Sequence, residues 1–443
     1  MTQSISETAE QLIEAAAAAG ADASDAIVMR SESTYVGVAD SALEEAEGSE
    51  GIELGLRVLL GHRQACVASS NADLGTLSEM ASRAVAIAQE APEDPYCGLG
   101  EVAGFEMPDL ELTDPVQDLD PTELEALALQ AEASALAVPG VTQVEQASAS
   151  TGFSQIALAA SNGFSGSYGR TSRSISVSAI AGEGLGRERD WSSEARRYSS
   201  DLPPASEVGS LAGGRAVARL DPRKPPSGAF PVLYDRRVAP SLISHVLSAI
   251  NGTSIARGSS WLLEAMGSQI LPNGFDVIED PRMLRGPSSR PFDAEGASTQ
   301  RRALIENGVL QTWILDLSTA RKLGLQSTGN ARRGTGGPPS PGVTNVIVEN
   351  GSLTREQLIR DMGTGLIVTS MIGSSINPTT GAYSRGASGF WVENGEVVHP
   401  VNEVTVAGSL PEMIKTLVRA DDREVHRGIS VPALLVDGVT VGA

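Results

Sequence analysis

Histidine is the commonest ligand of catalytic metals, and this chain has four histidines: His62, His245, His399 and His426. None is followed by glutamate, so there is no HExxH motif, and no two of them are near enough in sequence to share a helix face. A zinc site needs three or four converging ligands. The sequence therefore predicts no metal site in this chain, because scattered residues would have to assemble one.

Motifs for phosphate binding and for nucleophilic catalysis are also missing. No lysine follows a glycine, which excludes a Walker A loop, and the glycines between positions 182 and 186 have the wrong spacing for a dinucleotide loop. The G-x-S-x-G motif of serine hydrolases does not occur. Nothing in the local motifs therefore predicts a catalytic residue or a bound cofactor.

A small, polar segment between positions 369 and 386 is the best candidate for contact with a substrate. Its composition predicts a flexible loop. Such loops often line clefts, because their backbone N–H groups and hydroxyls can contact a peptide chain. A purely structural connection is the alternative. A second predicted loop, 329–342, could cover a neighbouring surface or become ordered on assembly. The candidate cleft residues of the first loop are Ser370, Ser374, Ser375, Asn377, Tyr383 and Ser384.

The charge distribution argues against nucleic acid as a partner. The net charge is −22, and residues 1–120 hold 24 acidic and 4 basic side chains, so this acidic third would repel a phosphate backbone. The two cysteines, Cys66 and Cys97, are far apart and indicate a reducing compartment. The first 14 residues lack lysine and arginine, and no apolar run is long enough to span a bilayer. We therefore expect a cytoplasmic location and no membrane contact.

The element pattern predicts an α+β fold. Helix-strand-strand-helix repeats make up the N-terminal half, and a strand-rich C-terminal domain with antiparallel hairpins follows. A capping box at Ser4 predicts the first helix, and an amphipathic helix with Leu242 and Val246 on one face opens the C-terminal region. Linker-like stretches suggest three domains: an acidic α+β domain (1–115), a second, repeat-like α+β domain (116–222) and the strand-rich domain (223–443).

The strongest sequence signature lies at residues 389–410. It predicts a β-hairpin, because Asn394-Gly395 tolerates the positive φ angles of a type I′ turn between two β-rich runs. This stretch resembles the C-terminal signature of the PmbA/TldD family. Residues 51–61, the Asn307-Gly308 hairpin and residues 342–345 add to the resemblance, which spans nearly the whole chain and points to the PmbA/TldE branch.

The resemblance also implies which groups this chain lacks. In the TldD branch, the helix that opens the C-terminal region carries HExxxH, and a cysteine near the C-terminus is a further zinc ligand. Alignment anchored on Gly252 places Ile243 and Ser248 at the two histidine positions and Ser244 at the glutamate position. His245 lies between them, out of register, and the C-terminal tail has no cysteine.

The resemblance therefore implies a non-catalytic subunit of a heterodimeric TldD/TldE-type metallopeptidase that acts on unfolded peptides. Zinc is expected in the TldD-like partner subunit and none in this chain, and a homodimer is possible when the chain is isolated. Two alternatives stay open: a stand-alone peptidase with an unrecognised site, and a non-enzymatic modulator that binds gyrase or another protein. Direct contact with nucleic acid is not expected.

Overall fold

The computed structural model describes residues 4–102, 107–116 and 118–443, without the side chain of Ser374. The fold mixes helices and strands and is strand-rich, with about 24% helix and 39% strand. None of the helices in these described ranges is both long and apolar enough to cross a bilayer.

Helices and strands follow one another in two similar series before the C-terminal region begins. The helices are α1 (Ile5–Ala18), α2 (Leu74–Glu90), α3 (Pro121–Leu136), α4 (Ala205–Ala218), α5 (Pro240–Ala249), α6 (Gly252–Ala256), α7 (Leu317–Leu323), α8 (Arg355–Met362) and α9 (Leu410–Met413). The strands of the first half are β1 (Ala23–Ala39), β2 (Ala42–Leu60), β3 (Arg63–Ser69), β4 (Val141–Ala160), β5 (Ser165–Ala181) and β6 (Glu188–Arg196). The remaining strands are β7 (Gly228–Tyr234), β8 (Val277–Glu279), β9 (Arg302–Glu306), β10 (Val309–Leu310), β11 (Ala331–Arg332), β12 (Ser340–Pro341), β13 (Val346–Val348), β14 (Gly365–Ile376), β15 (Ala382–Glu393), β16 (Glu396–Ser409), β17 (Val418–Arg419), β18 (Ile429–Ser430) and β19 (Leu434–Gly442).

The first six strands form one antiparallel sheet in the order β3-β2-β1-β4-β5-β6. Its two halves join where β1 pairs with β4, for example Asp25 opposite Ala160. Each half has the order helix, three strands, helix. Whether the halves are structural repeats stays a prediction, as do the proposed domain boundaries, although both halves share this single sheet.

Helices cover one face of the first sheet. The predicted capping box at Ser4 is present, because the Ser4 hydroxyl accepts a hydrogen bond from the N–H of Glu7. Helix α1 therefore begins at Ile5. Small apolar side chains let α1 and α2 pack closely on β1 and β2, and α3 and α4 pack in the same way on the other half. The opposite face of the sheet, which includes Ile27 and Leu158, packs against the C-terminal region.

A closed sheet forms the centre of the C-terminal region. Its strand order is β16-β15-β14-β7-β19-β17, and it closes because β16 also pairs with β19. A second sheet, β10-β9-β8-β13-β18, and the ribbon β11-β12 flank it. Helix α5 packs into the core through Leu242, Ile243 and Val246, the face that the sequence predicts.

Two hairpins lie where Asn-Gly pairs predict them. Asn394 and Gly395 have φ angles of 52° and 77° and join β15 to β16. Asn307 and Gly308, with φ angles of 49° and 79°, join β9 to β10. Because asparagine and glycine adopt this left-handed conformation more readily than other residues, the turn positions could be predicted from sequence.

The predicted loop at residues 369–386 is wrong, since this segment is the hairpin of β14 and β15. The middle of this stretch of β14 is exposed at Ile372, Gly373 and Ser375, whereas Ile376 and Tyr383 at the far end of the hairpin pack against the core. A strand that is not buried on either face needs no alternation of apolar and polar residues. The small polar composition therefore concealed a strand rather than indicating a loop.

The segment 329–342, predicted to cover a neighbouring surface or to order on assembly, lies against the first sheet in the single chain. Arg333 forms an ion pair with Asp25 of β1, and the Thr335 hydroxyl donates to the Glu53 carboxylate of β2. A Cβ at Gly55 would lie 2.4 Å from the Thr335 carbonyl oxygen, so glycine is needed for this approach. The segment thus ties the C-terminal region to the N-terminal sheet.

Candidate functional site

Two adjoining pockets of about 510 and 270 Å³ lie between strand β6 with helix α4 on one side and the closed sheet on the other. Both are lined by Arg237 and Thr369, so we treat them together as the central groove. The side chains that define it are Asp190, Trp191, Arg215, Asp235, Arg236, Arg237, Ser241, Arg355, Glu356, Thr369, Ser370, Met371, Arg385, Phe390 and Asp422.

Strand β14, which borders this groove, has a free edge over part of its length. Residues 366–368 of β14 pair with β7 on one side and with β15 on the other. From 370 to 376, β15 is the only strand that pairs with β14 among the described residues. Apart from the Gly373 carbonyl, which accepts from Nε of Arg385 at 2.7 Å, the opposite edge of this stretch therefore has backbone N–H and C=O groups that an extended peptide could pair with.

The walls of the groove carry charges of both signs, five arginines and four carboxylates. Asp190 accepts a hydrogen bond of 3.2 Å from Arg237, whose guanidinium also lies 5.2 Å from the centre of the Trp191 ring. Burial alone would raise the pKa of Asp190, but the hydrogen bond and charge of Arg237 lower it. A groove with nearly balanced charges suits a peptide better than a polyanion such as DNA.

Helix α5 occupies the place where the resemblance puts a zinc motif in the TldD branch, but its side chains do not fit a metal. Ile243 is buried in the core. The hydroxyl of Ser244 donates to the Pro240 carbonyl at 2.8 Å, and that of Ser248 donates to the Ser244 carbonyl at 2.8 Å. Across residues 4–102, 107–116 and 118–443, no group of three or more His, Cys, Asp or Glu side chains is arranged to bind a metal ion.

His245, on the same helix, is an isolated and neutral imidazole. Its ring meets the edge of Tyr383 with 5.9 Å between ring centres, and its buried Nε2 has no hydrogen-bond partner among the described residues. Burial, followed by the charge of Arg385, lowers the pKa of His245 to about 4. The imidazole is therefore uncharged at neutral pH and packs against the core edge.

The structure places the six predicted cleft residues on one hairpin but brings few of them to the groove. Ser370 lines it. Tyr383 is buried below His245, where burial raises the pKa of its phenol. Ser375 and Ser384 lie opposite each other across β14 and β15, and Asn377 caps the turn by accepting from the N–H of Thr379. The side chain of Ser374 lies outside the described residues. Their role in a substrate cleft stays a prediction.

Local sequence motifs did not reveal the charged residues of the groove. Asp190 and Trp191 come from β6, Arg215 from α4 and Arg237 from the turn after β7, so they meet only in the folded chain. The sequence between Arg170 and Arg237 holds 12 basic against 8 acidic residues, but an excess of this size is typical of an ordinary mixed surface.

Family models match three successive parts of the chain. They are the PmbA/TldA metallopeptidase domain 1 at residues 24–88, the central domain at 114–220 and the C-terminal domain at 227–443. The chain is 35% identical to "Metalloprotease PmbA" of Escherichia coli O157:H7 over 419 residues, which covers 94% of this chain and 91% of that protein. The chain belongs to the PmbA/TldD family. The resemblance to its PmbA/TldE branch is thereby confirmed.

Further relatives support the assignment to this family. A PmbA homologue named as a metalloprotease in Haemophilus influenzae is 36% identical over 97% of this chain and 94% of its own length. The same organism has a metalloprotease TldD homologue, 26% identical over 68% of each chain, so both branches occur together there. A crystal structure of a candidate modulator of DNA gyrase from Bacteroides thetaiotaomicron has 25% identity and a TM-score of 0.90, and it covers 99% of this chain and 98% of that one.

Proposed function

We propose that this chain is the non-catalytic subunit of a two-subunit metallopeptidase, in which a TldD-like partner holds zinc and cuts unfolded peptides. The observation that carries the proposal is helix α5, where Ile243, Ser244 and Ser248 occupy the positions that the resemblance gives to two zinc ligands and the general base. A core isoleucine and two hydroxyls bonded within their own helix do not replace imidazole ligands.

In this proposal the central groove supplies part of the wall of a peptide-binding cleft. The edge of β14 from residue 370 to 376 pairs with the backbone of an extended peptide, which adds to the sheet as a further strand. Only an unfolded segment can offer its backbone in this way. The exposed Ile372, on the same strand, would contact the peptide or the partner.

Co-expression with the TldD-like protein of the same organism tests the proposal. We expect the two chains to elute together in size-exclusion chromatography at micromolar concentration, and the complex to hydrolyse an unstructured peptide in a reaction that a chelator stops. Each chain alone should show little activity, and this chain alone should elute as a monomer or homodimer. Failure to form a complex at micromolar concentration would contradict the proposal.

A peptidase in its own right is the second candidate, because the full-length relatives are themselves named metalloproteases. Elemental analysis of the singly expressed, purified chain separates the two. Zinc well below one ion per chain, together with no chelator-sensitive hydrolysis, is expected for a non-catalytic subunit. One zinc ion per chain with hydrolysis of peptide would assign the activity to this chain and overturn the proposal above.

A third candidate follows from the name of the structure from B. thetaiotaomicron, a modulator of DNA gyrase. The mixed charges of the groove and the acidic first 120 residues argue against direct contact with DNA. A gel-shift assay at low salt should show no retarded DNA. A supercoiling assay with purified gyrase, with and without this chain, would show whether it acts on the enzyme protein instead.

A further inference from the structure

A separate cavity of about 160 Å³ lies between the face of the first sheet that its helices leave free and two segments of the C-terminal region, 288–294 and 332–344. We call it the interdomain cavity. The sheet contributes an aliphatic floor, and the rings of Tyr168 and Phe292 lie beside it in an edge-to-face arrangement, with 5.4 Å between their centres. The side chains of the floor and of the two rings are those of Ile27, Met29, Ile156, Leu158, Tyr168 and Phe292.

Arg290 is the unusual polar residue of this cavity. Its Nη1 donates to the Ala331 carbonyl oxygen at 2.8 Å. Its Nε and Nη2 are buried and have no hydrogen-bond acceptor among the described residues, and no carboxylate there lies within ion-pair distance. These two N–H groups form one edge of the guanidinium, the edge that binds both oxygens of a carboxylate in parallel. A buried guanidinium without such a partner is unfavourable.

The nearest carboxylate is already engaged. Asp293 also lines the cavity, but its oxygens accept hydrogen bonds from the backbone N–H groups of Glu295, Ala297 and Ala331, at 2.9 to 3.0 Å. Burial lowers the pKa of Arg290, and the charge of Asp293 opposes this shift only in part, without forming an ion pair. The acid inside the cavity therefore does not satisfy Arg290.

The lining as a whole is positive. Four arginines line the cavity (Arg170, Arg290, Arg332 and Arg333) against the single carboxylate of Asp293, and of these four only Arg333 has an ion-pair partner among the described residues, Asp25. The side chain of Arg333 is fully enclosed, and its Nη2 also has no hydrogen-bond acceptor among the described residues. Arg332 is the exposed member of the described lining, so it marks the side that solvent reaches. An anion would be drawn to this cavity.

We propose that the interdomain cavity binds a carboxylate carried on a short apolar body, with Nε and Nη2 of Arg290 holding the carboxylate and the aliphatic floor and aromatic rings holding the body. An apolar cavity of about 150 Å³ in another protein admits benzene, so the body has about the size of one aromatic side chain. The ligand is either a free amino acid or aryl acid, or the C-terminal residue of a peptide. The peptide source rests on the proposed function, and the free acid does not.

Calorimetric titration of the full chain, without any partner, tests the proposal. The probes are 3-phenylpropanoate, its neutral amide and inorganic phosphate. We expect saturable binding of the acid, with the amide and phosphate each weaker by about tenfold or more, because a charged hydrogen-bond pair and the apolar contact are both required. Equal binding of acid and amide, phosphate as tight as the acid, or no saturable binding at millimolar acid would overturn the proposal.

Variants locate the site. Arg290→Gln should weaken binding of the acid by about tenfold or more, and Arg187→Gln, which changes an exposed arginine outside the cavity, should leave it unchanged. Unchanged binding by Arg290→Gln would overturn the assignment. If that variant does not fold, a second variant, Met29→Trp, tests the site by filling its half-buried floor. Loss of binding with an unaltered melting temperature would support the site, and retained binding would overturn it.

Two peptides that end in phenylalanine, one with a free carboxylate and one amidated, distinguish a peptide terminus from a free acid as the source of the carboxylate. Binding of the free-acid peptide but not of the amidated peptide assigns a peptide terminus. Binding of the small acid alone assigns a free acid. Either result stands even if the chain proves not to be part of a peptidase, because this measurement needs no hydrolysis.

Discussion

His245 gives the clearest pH dependence at the scale of single residues. Its pKa is about 4 in the folded chain and about 6.5 when unfolded. Between these values the unfolded chain binds a proton that the folded chain does not, so stability is lost as pH falls from about 6.5 to about 4. We expect His245→Asn to reduce this loss by about 1–2 kcal/mol, a value discounted for partial exposure.

Urea unfolding of both proteins at several pH values measures this difference. His62→Asn, which replaces an exposed histidine, is the matched control. Its free energy of unfolding should change with pH in the same way as that of the parent chain. If the free energy of unfolding of His245→Asn also changes with pH as in the parent chain, the imidazole of His245 does not stay neutral in the folded chain.

Glu295 titrates in the opposite sense. Burial raises the pKa of its carboxyl to about 8, and the charges of Asp293 and Asp316 add to this. The unfolded chain releases this proton from about pH 4.5, so stability is lost as pH rises from about 4.5 to 8. Glu295→Gln should therefore become more stable relative to the parent as pH rises, with little relative change below pH 4.5.

Thermal denaturation at about pH 5 and about pH 8 checks this prediction. Glu264→Gln, at an exposed glutamate, serves as the control and should track the parent chain at both values. A constant difference between Glu295→Gln and the parent would mean that the carboxyl is ionised throughout.

At the scale of elements, the free edge of β14 leads to a prediction about binding. Ile372 is 73% exposed on this strand, and nothing in the described fold covers it. A charge on an edge strand disfavours pairing with another strand. We expect Ile372→Lys to weaken binding of the TldD-like partner or of the peptide by about tenfold, while stability changes by less than about 0.5 kcal/mol.

Surface plasmon resonance with the immobilised partner, and peptide hydrolysis by the co-expressed pair, measure the effect. Val397→Lys is the matched control, because Val397 is 52% exposed on β16 and lies away from this edge. Equal losses in the two variants would show a general effect of charge rather than a role for the β14 edge.

Elements could be predicted from sequence where local chemistry decides them. The Asn394-Gly395 turn and the capping box at Ser4 follow from backbone preferences of a few neighbouring residues. The middle of β14 could not be predicted as a strand, because Ile372, Gly373 and Ser375 are exposed and show no alternation of apolar and polar positions. Ser370 was found by composition, whereas its groove partners Arg237 and Trp191 come from distant elements.

At the scale of the whole molecule, one buried cluster joins the N-terminal sheet to the C-terminal region. Asp25, with 4% of its side chain exposed, pairs with Arg57 of the neighbouring strand and with Arg333, 308 positions away. No local pattern could reveal this cluster. Asp25→Ala would leave two buried guanidiniums without their shared partner, so we expect a loss of about 3–5 kcal/mol in the free energy of unfolding.

Chemical denaturation of Asp25→Ala measures this loss. Glu32→Ala removes an exposed carboxylate from the same strand and should change stability by no more than about 0.5 kcal/mol. If Asp25→Ala is as stable as the control, the cluster is not what holds the segment 329–342 against the first sheet.

The pairing of β1 with β4 has a consequence for synthesis of the chain. Residues up to about 90 contain a complete helix-strand-helix series, yet the inner edge of β1 finds its partner only when the segment ending at Ala160 has been made. Until then a strand of 17 residues is open to pairing with other nascent chains. The first half alone should therefore aggregate when expressed, and ribosome-bound chains of this length are where a chaperone would be needed most.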